Sequence, residues 1–187
     1  MSKSHDLDAI RQDCQAFPSR FSTVHLATVG SDGMPEASYA PFVQIDGRYY
    51  IYLSELARHT QNLLASADCC ALFIESEADC ANYFARKRLT LKCKAKECAR
   101  ESKVFEEVLD QFTDEFGNFV DVIRNLKDFH LFELSPQSGS FVAGFAKAYT
   151  LDGDDLGNIR HRVEKGHQSQ DGESSMVLQN IQMPTAS

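Results

Sequence analysis

Tryptophan does not occur among the 187 residues, and no apolar run approaches the roughly 18 residues that a membrane-spanning helix needs. Residues 1–6 do not contain the apolar stretch that is typical of a signal peptide. The length is sufficient for one domain with its own core, or for one domain and a tail. We therefore expect a cytoplasmic protein with no membrane partner.

Positive charge is also scarce, because 19 Lys and Arg residues face 27 Asp and Glu residues and give a net charge of −8. Proteins that bind nucleic acids derive their affinity from cations that neutralise phosphates, so this balance argues against a nucleic-acid partner. A local cluster of cations that binds a small anionic ligand is still compatible with it.

The common signatures of nucleotide-binding proteins and hydrolases are absent: there is no G-x-G-x-x-G, no P-loop and no serine nucleophile motif. There is no C-x-x-C either, and several of the six cysteines lie in apolar, strand-like sequence. A free cysteine in such surroundings behaves as a small hydrophobic residue. We expect reduced, buried thiols rather than a thiolate metal site.

Alternating apolar residues and turn signals predict seven strands in hairpins. Their expected ranges are 23–29, 36–45, 48–53, 69–74, 88–98, 128–134 and 140–149. Ser31-Asp32-Gly33 and Asp46-Gly47 are strong turn signals, and we expect a further turn at residues 136–138.

Helical spacing predicts helices over residues 5–16, 56–65, 101–116 and 119–123, and a short polar helix up to Glu164. This order predicts a mainly β protein with flanking helices, an antiparallel barrel. We expect residues 1–150 to form the barrel domain with its N-terminal helix, and residues 151–187 to form a tail.

His167 lies in the polar tail, where no hydrophobic periodicity surrounds it. Packing explains most histidines without a catalytic role, but it does not explain this one. It is either a surface side chain or a ligand that a loop delivers to something bound elsewhere.

Asp128 shares a strand face with His130. An acidic group beside an apolar strand face is costly unless it is paired. One interpretation places Asp128 at the exposed start of the strand. The other makes it a carboxylate that orients the ring N–H of a histidine and raises its basicity as a ligand.

Three cations, Arg86, Lys87 and Arg88, directly precede a strand. They form either a solvated basic turn or an anion site, where arginine supplies a planar bidentate fork.

Residues 54–62 join a strand to the start of a helix, where free backbone N–H groups favour a bound anion. Arg58 and His59 lie at this junction, and His59 could equally be a surface residue of the helix.

Several segments, in order along residues 20–167, resemble the HugZ/HutZ family of haem-utilisation proteins, which belongs to the pyridoxamine 5'-phosphate oxidase-like, FMN-binding split-barrel superfamily. The matching stretches are 38–43 (SYAPFV), 57–59 (ARH), 84–90 (FARKRLT), 128–129 (DF), 141–145 (FVAGF) and 166–167 (GH).

The resemblance implies a homodimer of split β-barrels with haem bound near the dimer interface. It implies that His167 is the axial ligand of the haem iron and that Asp128, from the other protomer, hydrogen-bonds to this ligand. Arg88 matches the family's basic residue near the haem, and His59 matches a family histidine.

With His59, the cations Arg58, Arg86 and Lys87 are the expected contacts of the cofactor, because haem propionates are anions. The implied activity is oxidative haem degradation to a biliverdin-type product with release of iron, using an electron donor that the sequence does not identify.

Two alternatives stay open from the sequence. The first is an FMN-dependent oxidoreductase of the same barrel, with Ser54, Arg58 and Asn62 near the flavin phosphate. The second is a non-catalytic haem carrier or storage protein, which would use the same iron ligand.

Overall fold

The computed structural model describes residues 2–162, and eight strands form the largest part of its regular structure. The helices are α1 (Ser2–Ala16), α2 (Arg58–Ala65), α3 (Lys103–Phe116) and α4 (Phe119–Ile123). The strands are β1 (Thr23–Val29), β2 (Pro35–Ile45), β3 (Arg48–Ser54), β4 (Asp68–Ile74), β5 (Arg88–Cys98), β6 (Phe129–Val142), β7 (Ala148–Asp152) and β8 (Asn158–His161). No helix in this part of the chain is both long and apolar enough to cross a membrane.

All strand pairings are antiparallel, in the order β3-β2-β1-β4-β5-β6-β7-β8. A further pairing of β3 with the first half of β6 closes the first six of these strands into a barrel. The second half of β6 leaves the barrel seam and pairs with β7 instead. The prediction of an antiparallel barrel with flanking helices is therefore confirmed.

The prediction of a turn at residues 136–138 is wrong, because β6 runs through these residues without a break. Pro136 pairs with Cys93 and Ser138 with Lys92, so Gln137 is the extra residue of a β-bulge. A proline lacks the N–H that a ladder needs, and a bulge is one of the few places where a sheet accommodates it.

The prediction of a short polar helix after Asp152 is also wrong. Residues 158–161 form β8, which pairs with β7 and buries Ile159 between exposed neighbours. The sheet thus extends past residue 150, at which we ended the predicted barrel domain. The rest of the predicted tail, including His167, lies outside the described residues.

Two apolar clusters cover the two faces of β3. Tyr49, Ile51 and Leu53 point into the barrel, whereas Tyr50 and Tyr52 point outwards against α3 and α4. The buried stripe of α3 supplies the other side of the outer cluster, with Phe105, Val108, Leu109 and Phe112 at helical spacing. With both faces buried, β3 holds a fixed register against β6.

The thiols agree with the expectation of reduced cysteines, since all six are free. Cys14, Cys69, Cys80 and Cys93 are buried, and Cys70 and Cys98 are half-buried. Within residues 2–162, no group of three or more His, Cys, Asp or Glu side chains is arranged to hold a metal ion.

The loop between α4 and β6 is held from inside by Arg100, a half-buried residue just after β5. Its guanidinium donates hydrogen bonds to the carbonyl oxygens of Arg124 (2.8 Å), Phe129 (3.0 Å) and Leu126. Its Cζ atom also lies 5.4 Å from the centre of the Phe105 ring. One side chain therefore fixes the backbone on both sides of Asp128, the residue that directly precedes β6.

We expect Arg100→Leu to lower the free energy of unfolding by about 2–4 kcal/mol, because three carbonyl groups lose a charged donor. The measurement is urea-induced unfolding followed by circular dichroism. Lys103→Leu is the matched control, because the Lys103 side chain is 88% exposed and forms an ion pair with Glu107 on its own helix. Equal shifts of the unfolding midpoint in the two variants would contradict the role of Arg100.

Candidate functional site

Asp128 lies at one rim of the barrel, where β3 ends and β6 begins. The backbone N–H of Glu55 donates to the carbonyl oxygen of Asp128 at 2.7 Å, and the Ser54 hydroxyl donates to carboxylate Oδ2 at 3.5 Å. Within residues 2–162, the other carboxylate oxygen accepts no hydrogen bond. The side chain is half-buried, so the backbone is fixed while one carboxylate oxygen stays available to a ligand or a partner.

The same junction carries Arg58 and His59 in the first turn of α2. The Arg58 side chain is 71% exposed, with its Nε 3.7 Å from a carboxylate oxygen of Glu36. Burial lowers the pKa of the His59 imidazole, and the charge of Glu36 offsets this effect only in part. His59 is therefore neutral at physiological pH, with a lone pair available to accept a proton or bind an electrophile.

Asn62, which the flavin alternative places near a phosphate, already has a hydrogen-bond partner in the barrel. Its side chain is buried, and its amide donates to the hydroxyl of Thr28 on β1 at 2.9 Å. This hydrogen bond fastens α2 to the barrel. The adjoining depression has a volume of about 470 Å³ and is lined by Ser31, Leu56, Arg58, Gln61, Asn62 and Ala65.

Two of the three clustered cations are neutralised inside the chain. The Arg86 guanidinium donates to the Glu75 carbonyl and lies 3.4 Å from a Glu77 carboxylate oxygen. Lys87 Nζ lies 2.5 Å from an Asp13 carboxylate oxygen and above the rings of Phe17 and Phe141. The Lys87–Asp13 ion pair holds α1 against the barrel, an outcome that neither sequence interpretation included.

Arg88 differs from its two neighbours. It is half-buried, and its guanidinium donates to the Arg86 carbonyl oxygen at 3.0 Å. In the described part of the chain, no carboxylate lies within ion-pair distance of it. Of the three cations, Arg88 is thus the one whose charge is available to an external anion.

The predicted site residues fall into two groups at opposite ends of β6. Asp128 directly precedes its first residue, Phe129, whereas Arg88 pairs with its last residue, Val142. At about 3.3 Å per residue, this strand measures on the order of 40 Å along its course. Arg58 and His59 follow β3 and belong to the Asp128 end, so one copy of the described chain does not unite the two groups.

His130, two residues after Asp128, has a more prominent role than its sequence position indicated. Its ring Nδ1 lies 2.6 Å from a Glu97 carboxylate oxygen, and its Nε2 lies 2.7 Å from one of Glu55. Burial lowers the pKa of this imidazole, but the hydrogen bonds and charges of Glu97 and Glu55 together outweigh burial, so the pKa is raised. No local pattern could reveal these contacts, because both glutamates are distant in sequence.

Comparison with known proteins agrees with this architecture. The sequence profile of the pyridoxamine 5'-phosphate oxidase family matches residues 10–143. Heme oxygenase HutZ of Vibrio cholerae is 39% identical over 158 residues, which cover 84% of this chain and 89% of that protein.

Two solved structures are similar to the chain in both sequence and fold. ChuZ of Campylobacter jejuni superposes with a TM-score of 0.74 at 32% identity, over 82% of this chain and 62% of ChuZ. The structure of HutZ described as the haem storage protein of Vibrio cholerae has a TM-score of 0.61 at 37% identity, over 70% of this chain and 89% of HutZ. The chain thus spans less than two thirds of ChuZ but most of HutZ. It belongs to the pyridoxamine 5'-phosphate oxidase-like split-barrel superfamily and, within it, to the HugZ/HutZ haem-utilisation family.

Proposed function

We propose that the protein binds haem and degrades it oxidatively, with a biliverdin-type product and release of iron. The observation that carries this proposal is the 39% identity, over most of both chains, to a protein named heme oxygenase. The HutZ structure is described as a haem storage protein, so binding is common to both descriptions and turnover is the step to be tested.

The described residues fit such a ligand. Haem presents two anionic propionates and an iron that takes imidazole ligands. Arg88 is an arginine with no internal carboxylate partner, and Asp128 has one carboxylate oxygen without a hydrogen bond in the described chain. Arg58 is exposed beside His59, whereas Arg86 and Lys87, which we also expected to contact the cofactor, are paired with carboxylates of the chain itself.

A site that uses both Asp128 and Arg88 needs a second copy of the chain. The two residues lie at opposite ends of β6, a strand of 14 residues, so one copy of the chain does not bring them together. We therefore propose a homodimer in which the haem site lies between protomers, with Asp128 and Arg88 supplied by different copies.

Each side chain has a defined part in this proposal. His167 would bind the haem iron, and Asp128 would accept the hydrogen bond of its second ring nitrogen, which would orient the ring and raise its electron donation. Arg88 would donate hydrogen bonds to water in the pocket. Haem itself is the substrate and the centre at which oxygen reacts, while the protein positions it and tunes its electronics.

The flavin alternative has one supporting and one opposing feature. Arg58 and Ser54 lie at the strand-to-helix junction, where a phosphate is favourable. Asn62, the third residue expected there, is buried and bonded to Thr28. A purified protein that shows flavin absorption and binds FMN in a titration would favour this alternative over haem chemistry.

Removal of His167 should abolish or change the Soret band, because the iron then loses its protein ligand. A haem titration of the wild type beside His167→Ala, followed by absorption spectroscopy, measures this. His161→Ala is the matched control, because the His161 ring is exposed and bonded to the Ala146 carbonyl, and its spectrum should equal the wild-type one. Identical spectra for wild type and His167→Ala would rule out His167 as the ligand.

Asp128→Asn should reduce turnover by about 10–100-fold, because the ligand histidine loses the carboxylate that orients it. Turnover is the rate of Soret bleaching with ascorbate under air, in the presence of catalase, with iron release measured in parallel. Asp46→Asn is the matched control, since Asp46 is an exposed turn residue at φ 50°, where asparagine is tolerated. A wild-type Soret band that persists for hours would indicate storage instead of degradation.

A further inference from the structure

The contacts of His130 determine its protonation state. A neutral imidazole donates through one nitrogen and accepts through the other, whereas an ionised carboxylate only accepts. Both ring nitrogens of His130 lie within 2.7 Å of carboxylate oxygens, one from Glu97 and one from Glu55. Two such contacts are both favourable only if each nitrogen carries a proton, so the arrangement is an imidazolium between two carboxylates.

This arrangement is unsuited to a metal ion. The two ring nitrogens point in opposite directions, which keeps the two carboxylates apart on either side of the ring. Within residues 2–162, no three ligating groups converge on one point. The His130 side chain is only 16% exposed, while those of Glu55 and Glu97 are 46% and 49% exposed, so water screens the pair only in part.

The carboxylates that His130 joins belong to two separate strand ends. Glu97 lies near the end of β5, and Glu55 directly follows β3. Glu55 also donates its backbone N–H to the Asp128 carbonyl at 2.7 Å, and its neighbour Ser54 donates to the Asp128 carboxylate. Glu55 thus contacts His130 through its side chain and Asp128 through its backbone.

We propose that His130, as an imidazolium that ties Glu55 to Glu97, is the positioning residue for the Asp128 carboxylate. The inference rests on the proposed function, in which Asp128 hydrogen-bonds to the iron ligand. His130 does not contact the ligand in this proposal. It fixes the junction of β3 and β6, and through this junction the direction in which Asp128 presents its unbonded oxygen.

The charges around His130 set the pH range in which its ion pairs with Glu55 and Glu97 exist. Glu97 faces it from β5 and Glu55 from the β3–α2 junction, while Arg100 and Lys127 line the adjoining cavity of about 200 Å³. The two carboxylates raise the imidazole pKa above its ordinary 6.5. The tie therefore stabilises the fold fully below about pH 6.5, and this stabilisation is lost as the pH rises through the raised value.

The first measurement follows the melting temperature of the ligand-free protein between pH 5.5 and 9. His130→Gln should melt below the wild type at low pH, and the difference should shrink as the pH rises. Glu97→Gln, which removes one charge without contacting Asp128, should show the same trend in case His130→Gln does not fold. Glu107→Gln is the control, since Glu107 is exposed on α3 and should give no pH-dependent difference. Parallel melting curves for wild type and both variants would overturn the proposal.

The second measurement is a double-mutant cycle on haem turnover. His130→Gln should slow the wild type by about tenfold but should cause no further loss in Asp128→Asn, because it acts through that carboxylate. An equal loss in both backgrounds would show that His130 acts independently and would overturn the positioning role. If Asp128→Asn alone has no effect on turnover, the proposed role of the carboxylate fails, and the positioning role of His130 fails with it. The melting temperatures still test separately whether His130 forms ion pairs with Glu55 and Glu97.

Discussion

The pairing of β3 with β6 is the constraint on which the rest of the structure depends. It closes the barrel, and its register places Ser54 opposite Phe129 and Leu53 opposite His130. A shift by one residue would turn Tyr50 and Tyr52 from α3 into the barrel and would exchange every inward side chain of β3 for an outward one. The buried aromatic residues of β3 thus fix the position of Asp128 through this register.

Strand alternation and turn chemistry could be read from the sequence wherever one face of a strand is buried and the other is wet. β1 and β5 have the predicted bounds because their inward and outward residues alternate cleanly. β6 does not, because Pro136 and Gly139 are turn signals that the sheet absorbs in a bulge and in a close backbone approach. Local propensity predicts a break there, and pairing with β5 on one side overrides it.

The sequence indicates individual residues of the candidate site but not which residues they contact. Asp128 stood out because a carboxylate beside an apolar strand face needs a partner, and it has one in Ser54. The partners of Arg86 and Lys87 come from residues 75–77 and from α1, so no reading of the basic run alone separates these two cations from Arg88. The sequence pattern places His130 on one strand face with Asp128, but the glutamates that contact His130 lie 33 and 75 positions away. Charge pairing across a closed barrel depends on which residues the strand register brings together, and local sequence patterns do not reveal this.

Rigidity at the Asp128 end has a direct consequence for the proposed chemistry. A histidine ligand is oriented by an acceptor whose own direction is fixed before the ligand arrives, since ordering both groups at once costs conformational entropy at the moment of binding. Here the acceptor is held by the Glu55 backbone, by the carbonyl contacts of Arg100 and by the charge of His130. The folding of the barrel has thus already ordered the carboxylate before a ligand of the proposed site arrives. This order explains how a β-barrel in which no three ligating side chains converge within residues 2–162 can still provide the fixed part of the proposed haem site.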